Sequence, residues 1–186
     1  MGERLAFSAS VEIRAEAEEV FALVSDLRRK AVINPNVRVI RVELEGGEPI
    51  REGSVFYHRF QREGRIVEYR SRVMRCEPPR LIESRSESDP PFEVRVRVEP
   101  VPGGCRLAQE ETVEVTPEAL DALDPAPARG RSVRDALKLL TLFPSARLLE
   151  AELRAHQRER VARRLARELE GWLEAIRQHL EAGSRR

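Results

Sequence analysis

The chain of 186 residues is about the length of one domain, and its apolar content of 41% is sufficient for a substantial core. Its 33 basic and 32 acidic residues nearly cancel, which gives no electrostatic case for nucleic acid or an anionic membrane as the main partner. No stretch approaches the roughly 20 apolar residues of a transmembrane helix, and the N-terminal sequence lacks the apolar run of a signal peptide. We therefore expect a cytoplasmic protein without a transmembrane segment.

The first 27 residues predict a half-buried strand followed by one short helix. Apolar residues occupy every second position from Leu5 to Ile13, which is typical of a strand with one buried face. Residues 15–27 then place apolar side chains at helical spacing. Three glutamates lie in the first turn of this segment, where the helix dipole favours acidic groups.

Six strand-like segments follow, separated by turn-forming glycines and prolines. Their spacing of roughly 8–12 residues, with tight turns between them, is typical of an antiparallel meander. The segments are 37–44, 54–61, 65–75, 80–86, 92–99 and 105–115.

After the last of these segments the pattern becomes helical. A Thr-Pro pair begins residues 116–143, a predicted helical insertion that a loop rich in Pro and Ala interrupts. From Pro144 to Leu180 an apolar stripe at helical spacing predicts one long C-terminal helix. We expect a single domain over residues 1–186, in which 116–143 covers one mouth of a cavity as a lid.

The order of these elements predicts an α+β fold with a β-α-β6-α sequence of elements. One antiparallel sheet of seven strands must bury a single face, and the C-terminal helix is the predicted element long and apolar enough to cover it. The twist of such a sheet lifts its strands away from the helix axis, which favours a hollow between the two. Concave, mostly apolar spaces of this kind are common ligand sites.

Several segments resemble the START/Bet v 1-like (SRPBCC) superfamily, in particular its polyketide cyclase/dehydrase and coenzyme Q-binding branch. The resemblance implies a helix-grip fold, in which a curved sheet surrounds the long C-terminal helix, and a pocket for a hydrophobic ligand. Two features depart from the family pattern: Ile33 stands where a Trp commonly precedes Asn-Pro, and the connection before the last helix is unusually long. The segments that carry the resemblance are 11–27, 34–43, 51–56, 73–84, 102–115 and the helix over 165–180.

Strand alternation assigns five polar side chains to the inner face of the predicted sheet: His58, Tyr69, Ser71, Gln109 and Glu111. These groups are candidates for orienting a polar head group or for acid–base chemistry, since His titrates near neutral pH. The alternative is that they bond one another or a buried water. The predicted ligand-binding set is Phe56, His58, Phe60, Tyr69, Ser71, Val94, Val96, Gln109, Glu111, Leu165, Leu169 and Trp172.

The sequence predicts no metal site and no cofactor. The three histidines, His58, His156 and His179, are too scattered to form a metal site, and neither a G-x-G-x-x-G motif nor a P-loop is present. Cys76 and Cys105 are expected to be reduced thiols, with a disulfide between them as the less favoured alternative.

Three functions remain open at this point. The favoured one is non-catalytic binding or transport of a lipid-like or aromatic small molecule. The second is a polyketide cyclase/dehydrase-type enzyme, with His58, Tyr69 and Glu111 as candidate acid–base residues. The third is an interaction module in which residues 116–143 bind a partner or a second copy of the chain as a homodimer.

Overall fold

The computed structural model describes residues 3–62, 64–116, 120–121 and 144–183. Within these ranges the chain forms seven strands and three helices. They are β1 (Glu3–Ile13), α1 (Ala17–Ser25), α2 (Leu27–Val32), β2 (Arg38–Glu45), β3 (Val55–Arg62), β4 (Arg65–Glu77), β5 (Leu81–Ser86), β6 (Phe92–Val101), β7 (Gly104–Val115) and α3 (Pro144–Gly183).

All seven strands form one antiparallel sheet in the order β1-β7-β6-β5-β4-β3-β2. Neighbours along the chain pair as hairpins from β2 to β7, and β1 then pairs with β7, with Ile13 opposite Cys105. The edge strand β2 carries an irregularity between Val39 and Arg41, where its register against β3 shifts. This sheet, with the long C-terminal helix, confirms the predicted α+β helix-grip fold.

The segment after β1 contains two helices, and the prediction of one helix over 15–27 was wrong at Asp26. Asp26 has an extended backbone, with φ −82° and ψ 95°, which ends α1. Its side chain then accepts a hydrogen bond from the Arg28 backbone N–H at 3.0 Å and so caps α2. This break turns the chain, so that α2 presents Lys30 and Ala31 to the interior.

The main core lies between the concave face of the sheet, α1 and the C-terminal half of α3. Alternating strand residues supply one side of it, and helical residues spaced three or four apart supply the other. Cys105 is buried among them, and both cysteines are free thiols, as predicted. The core residues are Ile13, Val20, Phe21, Leu23, Val24, Phe56, Val73, Ile82, Val96, Val98, Cys105, Leu107, Leu169, Leu173, Ile176 and Leu180.

The helix α3 has 40 residues, which at 1.5 Å per residue gives a length of about 60 Å. Nearer its N-terminus, Val161 joins Leu5, Val115 and Leu120 in a second apolar cluster. The buried Gln157 donates hydrogen bonds to the Leu120 carbonyl at 3.2 Å and to Asp121 Oδ1 at 3.1 Å. The chain that follows β7 is thereby fixed against α3 at residues 120–121.

Most of the predicted insertion, 116–143, lies outside the described residues. Its assignment as a helical lid, and the single-domain boundary of 1–186, therefore remain predictions.

The convex face of the sheet is polar and carries alternating arginines and glutamates. Cross-strand pairs include Arg70 Nε–Glu45 Oε1 at 2.9 Å and Arg95 Nε–Glu83 Oε1 at 2.6 Å. Exposed pairs of this kind contribute only about 0–1 kcal/mol each. The sheet thus buries one face only, which leaves the concave face as the place for an apolar site.

Gly104 at the start of β7 lies where β1 approaches most closely. A β-carbon at this position would lie 2.1 Å from the Ile13 carbonyl oxygen, a backbone atom that cannot move independently of the sheet. We expect Gly104→Ala to lower the free energy of unfolding by about 2 kcal/mol or more in urea titrations.

Gly171 provides the matched control, because a β-carbon there meets nothing within 4 Å. Gly171→Ala in the exposed part of α3 should raise the free energy of unfolding by about 0.5–1 kcal/mol. Equal effects of the two substitutions would contradict the assigned close approach at Gly104.

Candidate functional site

The concave face of the sheet is closely packed at one end and open at the other. Along β6, Val98 and Val96 are 1% and 3% exposed, whereas Val94 and Phe92 on the same face are half-buried. Along β4, Val73 is 1% exposed and Val67 is 42% exposed. The antiparallel register brings the less buried residues of β3, β4, β6 and β7 to the same end of the sheet.

An aromatic cluster lines this open end. The rings of His58 and Tyr69 stack with centroids 4.6 Å apart, and Tyr69 meets Phe92 edge to face at 5.0 Å. Phe60 completes the cluster, with its centroid 5.6 Å from His58. Residues of β3, β4 and β6 therefore form an aromatic wall with a few polar atoms.

His58 is a buried and neutral member of this wall. Its Nε2 lies 2.8 Å from Ser71 Oγ, and burial lowers the pKa of the imidazole to about 4. Within the described ranges, Nδ1 has no hydrogen-bond partner. An imidazole in this state is a weak base at neutral pH, which favours a structural or binding role for His58 over proton abstraction.

Lys30 is a buried charged residue that the sequence reasoning did not select. It lies on α2 and is 2% exposed. Its Nζ donates to Gln109 Oε1 at 2.5 Å and lies 4.7 Å from the centroid of the Trp172 ring, while Trp172 Nε1 donates to the Lys30 carbonyl at 3.3 Å. Burial lowers the pKa of Lys30 to about 8, and the charge of Glu111 opposes that shift.

A second hydrogen bond extends this contact to a carboxylate. Gln109 Nε2 donates to Glu111 Oε1 at 2.5 Å, so one amide connects the Lys30 ammonium to the Glu111 carboxyl. Burial raises the pKa of Glu111, while the hydrogen bond from Gln109 and the charges of Lys30 and Arg62 act in the opposite direction. Burial and the charge of Glu111 both raise the pKa of the Tyr69 hydroxyl. We refer to Lys30 and Glu111, with the Gln109 amide between them, as the amide-bridged pair.

Polar contacts hold α3 beside the open end. Arg62 Nη2 donates to Glu168 Oε2 at 2.5 Å, and Asn36 Nδ2 donates to the Glu168 carbonyl at 2.9 Å. These bonds connect the end of β3 and the segment before β2 to the middle of α3. The helix is thereby fixed beside β3, the strand that carries His58 and Phe60 of the aromatic wall.

The structure separates the predicted ligand-binding residues into three groups. Phe56, Val96 and Leu169 lie at the closed end, in the packed core. The half-buried residues lie toward the open end or on α3: Phe60, Tyr69, Val94, Glu111, Leu165 and Trp172. His58, Ser71 and Gln109 lie between these groups, buried on the same face.

Of the three candidate acid–base residues, Tyr69 stacks on His58, while His58 and Glu111 lie in two separate hydrogen-bonded groups. His58 is bonded to Ser71, while Glu111 is bonded to Gln109. The sequence did contain a signal for Lys30, because Leu27, Lys30 and Ala31 share one helical face and the chain otherwise uses arginine almost throughout. In the described part of the chain, no group of three His, Cys, Asp or Glu residues is arranged to hold a metal ion.

The comparisons with known proteins agree with this architecture. Residues 4–141 match the protein family described as polyketide cyclase / dehydrase and lipid transport. The chain belongs to this family. The match confirms the resemblance seen in the sequence, and the family's fold is one that binds hydrophobic ligands. Among proteins with curated functions, none matches this chain in sequence.

Solved structures with the same fold are distant in sequence. The di-domain ARO/CYC BexL from the BE-7585A biosynthetic pathway is 19% identical over 95% of this chain, with a TM-score of 0.63, and the chain spans 50% of that protein. TTHA0849 from Thermus thermophilus is 17% identical, with a TM-score of 0.60 over 96% of this chain and 99% of that one. Ara h 8.0201 is 11% identical, with a TM-score of 0.57 over 97% and 99%. At these identities the likeness establishes the fold.

The burial of Lys30 makes the free energy of unfolding depend on pH in the alkaline range. Its pKa of about 8 lies below the ordinary lysine value of 10.5, so between these values the unfolded chain holds a proton that the folded chain has lost. The free energy of unfolding should therefore rise as the pH rises from about 8 to about 10.5, by up to about 3 kcal/mol.

Lys30→Met should abolish this rise in urea unfolding measured across that range, whereas Arg29→Met, which removes an exposed cation from the same helix, should retain it. Parallel pH curves for Lys30→Met and the unmodified protein would contradict the assignment.

The buried imidazole of His58 gives the corresponding dependence on the acid side. Its pKa of about 4 lies below the ordinary value of 6.5, so the unfolded chain binds the proton first as the pH falls. Stability contributed by neutral His58 is present above pH 6.5 and is lost progressively toward pH 4, by up to about 3 kcal/mol. The difference between unfolding curves of the unmodified protein and His58→Phe measures this loss, and a pH-independent difference would refute it.

Proposed function

We propose that the protein binds a small hydrophobic ligand, lipid-like or aromatic, at the open end of the concave face beneath α3. The observation that carries this proposal is the gradient of exposure along β4 and β6, two strands of the sheet that are separated by β5. The same inward-facing row changes from fully buried aliphatic residues to half-buried aromatic ones within a few positions.

Apolar side chains on an inner face normally gain about 25 cal/mol for each Å² removed from water. Phe60, Phe92 and Val94 remain half-buried although they lie on the concave face, in the same strand rows as the core residues Phe56, Val96 and Val98. A ligand that covers them would recover part of this free energy, and the stacked rings of His58 and Tyr69 present a flat surface suited to a planar or extended apolar molecule.

Binding without catalysis is the function that the polar groups support best. The low pKa of His58 leaves it neutral and weakly basic, and its Nε2 is already engaged with Ser71. The transport part of the family description is consistent with such a role. We propose a cytoplasmic location, where the protein would bind a small molecule in solution. In the described ranges, no helix is long and apolar enough to cross a membrane.

A cyclase or dehydrase is the second candidate, and the raised pKa of Glu111 favours it. Cyclisation of a polyketide-like chain requires a base to remove a proton beside a carbonyl, and burial makes this carboxylate more basic than usual. Tyr69 would be the neighbouring proton donor, since the charge of Glu111 acts on its hydroxyl and raises the pKa of that group. Under this alternative, Glu111→Gln would retain ligand affinity and lose turnover.

The interaction module formed by 116–143 remains a prediction, since most of that segment lies outside the described residues.

Filling the open end should prevent binding. Val94 is half-buried between Ser84 and Glu111 on the concave face, whereas Arg97, three residues further along β6, is exposed on the convex face. We expect a neutral polycyclic probe such as Nile red to quench the fluorescence of Trp172, the sole tryptophan, and Val94→Phe to weaken its affinity about tenfold or more.

Arg97→Phe adds the same side chain on the opposite face and should leave the affinity unchanged. Native mass spectrometry of the purified protein provides an independent readout by detecting any co-purified apolar molecule. Failure of every apolar probe to bind, together with a ligand-free mass, would overturn the proposed function.

A further inference from the structure

The amide-bridged pair suggests which polar feature the ligand must carry, and this inference rests on the proposed function. We propose that Glu111 contacts the ligand as a carboxylate while Lys30, acting through Gln109, keeps that carboxylate charged and oriented. The site would then prefer a neutral aromatic ligand with a hydroxyl donor, such as a phenol, over a similar ligand with a carboxylate. Lys30 is, in this view, a positioning residue buried behind the site.

The direction of the Gln109 amide supports charged forms of both partners. Its Oε1 accepts from the Lys30 ammonium at 2.5 Å, and its Nε2 donates to Glu111 at 2.5 Å. The opposite orientation would place N–H groups against the ammonium and the amide oxygen against the carboxylate, and both contacts would be repulsive. The amide therefore fits a cation on one side and an anion on the other.

The exposures of the three residues determine which of them a ligand meets. Lys30 and Gln109 are each 2% exposed, whereas Glu111 is half-buried toward the open end. The main-chain register places Glu111 opposite Val94, among the half-buried apolar residues. A ligand in this space therefore meets the carboxylate before the ammonium. A hydroxyl can donate to that carboxylate, while a second carboxylate would be repelled by it.

Charged and titratable groups from four elements face or support Glu111. Lys30 approaches from α2, Arg62 from β3 and Tyr69 from β4, while Glu168 of α3 binds Arg62. Burial raises the pKa of Glu111, and both cations oppose that rise. Since Arg62 is shared with Glu168, Lys30 is the cation connected to Glu111 through a fixed hydrogen-bonded bridge. Loss of Lys30 should therefore raise the pKa of Glu111 further.

Three naphthalenes of nearly equal apolar area test the preference: 2-naphthol, 2-methoxynaphthalene and 2-naphthoate. The affinities are measured by isothermal titration calorimetry near neutral pH. At this pH 2-naphthol is neutral, because its hydroxyl resembles a phenol with a pKa of roughly 10, and 2-naphthoate is ionised. We expect 2-naphthol to bind about tenfold more tightly than 2-methoxynaphthalene, the gain typical of a hydrogen bond to a charged group, and 2-naphthoate to bind most weakly.

The variants separate the role of Lys30 from general effects on the fold. Lys30→Met should reduce the preference for 2-naphthol to about threefold or less near neutral pH and should move the pH at which that preference appears to a higher value. Gln109→Met should reduce the preference while retaining both charges, and it serves as the second variant if Lys30→Met fails to fold. Arg29→Met, on the exposed face of α2, should match the unmodified protein in both preference and pH profile.

The outcomes distinguish this inference from the proposed function. If none of the three naphthalenes binds while Nile red does, the inferred preference is wrong; if Nile red also fails to bind and the purified protein carries no ligand, the proposed function itself fails. If all three bind with equal affinity, or 2-naphthoate binds most tightly, the preference is wrong while hydrophobic binding stands. An unchanged naphthol preference and pH profile in both Lys30→Met and Gln109→Met would overturn the positioning role of Lys30.

Discussion

A sheet with one charged face and one apolar face needs a second element along the apolar face, and in the described chain α3 lies there. The C-terminal half of α3 packs closely against the sheet through Leu169, Leu173 and Ile176. Toward the β3–β4 hairpin the same inward-facing rows are only partly covered. Because a twisted sheet and a straight helix diverge along their length, close packing at one end favours a gap at the other. The candidate site is therefore a consequence of the geometry that forms the core.

The amide-bridged pair lowers the stability of this fold. A buried ammonium loses its hydration, and one hydrogen bond with one aromatic face replaces only part of it. An apolar residue at position 30 would avoid this cost, as replacements of buried ion pairs in other proteins indicate. Retaining charge at such a position is common where a site must control the ionisation of a neighbouring group. The same residue thus connects a stability penalty with the chemistry assigned to Glu111.

The sequence predicted the strands well because their alternation repeats over many residues. A half-buried strand shows its phase in the sequence, so the inward orientation of His58 and Gln109 followed from their neighbours. The break at Asp26 was missed because the residues around it are compatible both with one continuous helix and with two helices separated by a cap. Only the extended backbone of Asp26 distinguishes these two arrangements. Lys30 was missed because the predicted helix ended at residue 27, so the helical face that Leu27, Lys30 and Ala31 share was not recognised.

The sequence pattern does not show which of the inward-facing polar groups bond to one another. Alternation places His58, Tyr69, Ser71, Gln109 and Glu111 on one face without indicating their partners. The partners depend on the registers of β3 with β4 and of β6 with β7, and on where α2 meets β7. These are tertiary relationships that strand periodicity does not encode.

The irregularity in β2 has a consequence for how copies of the chain meet. An outermost strand offers unpaired backbone donors and acceptors, which invite another strand to extend the sheet. The register shift at Val39 and Arg41, with charged side chains at Arg38, Glu43 and Glu45, disrupts the straight, uniform edge that such an addition requires. Growth into a continuous intermolecular sheet through β2 is thereby discouraged.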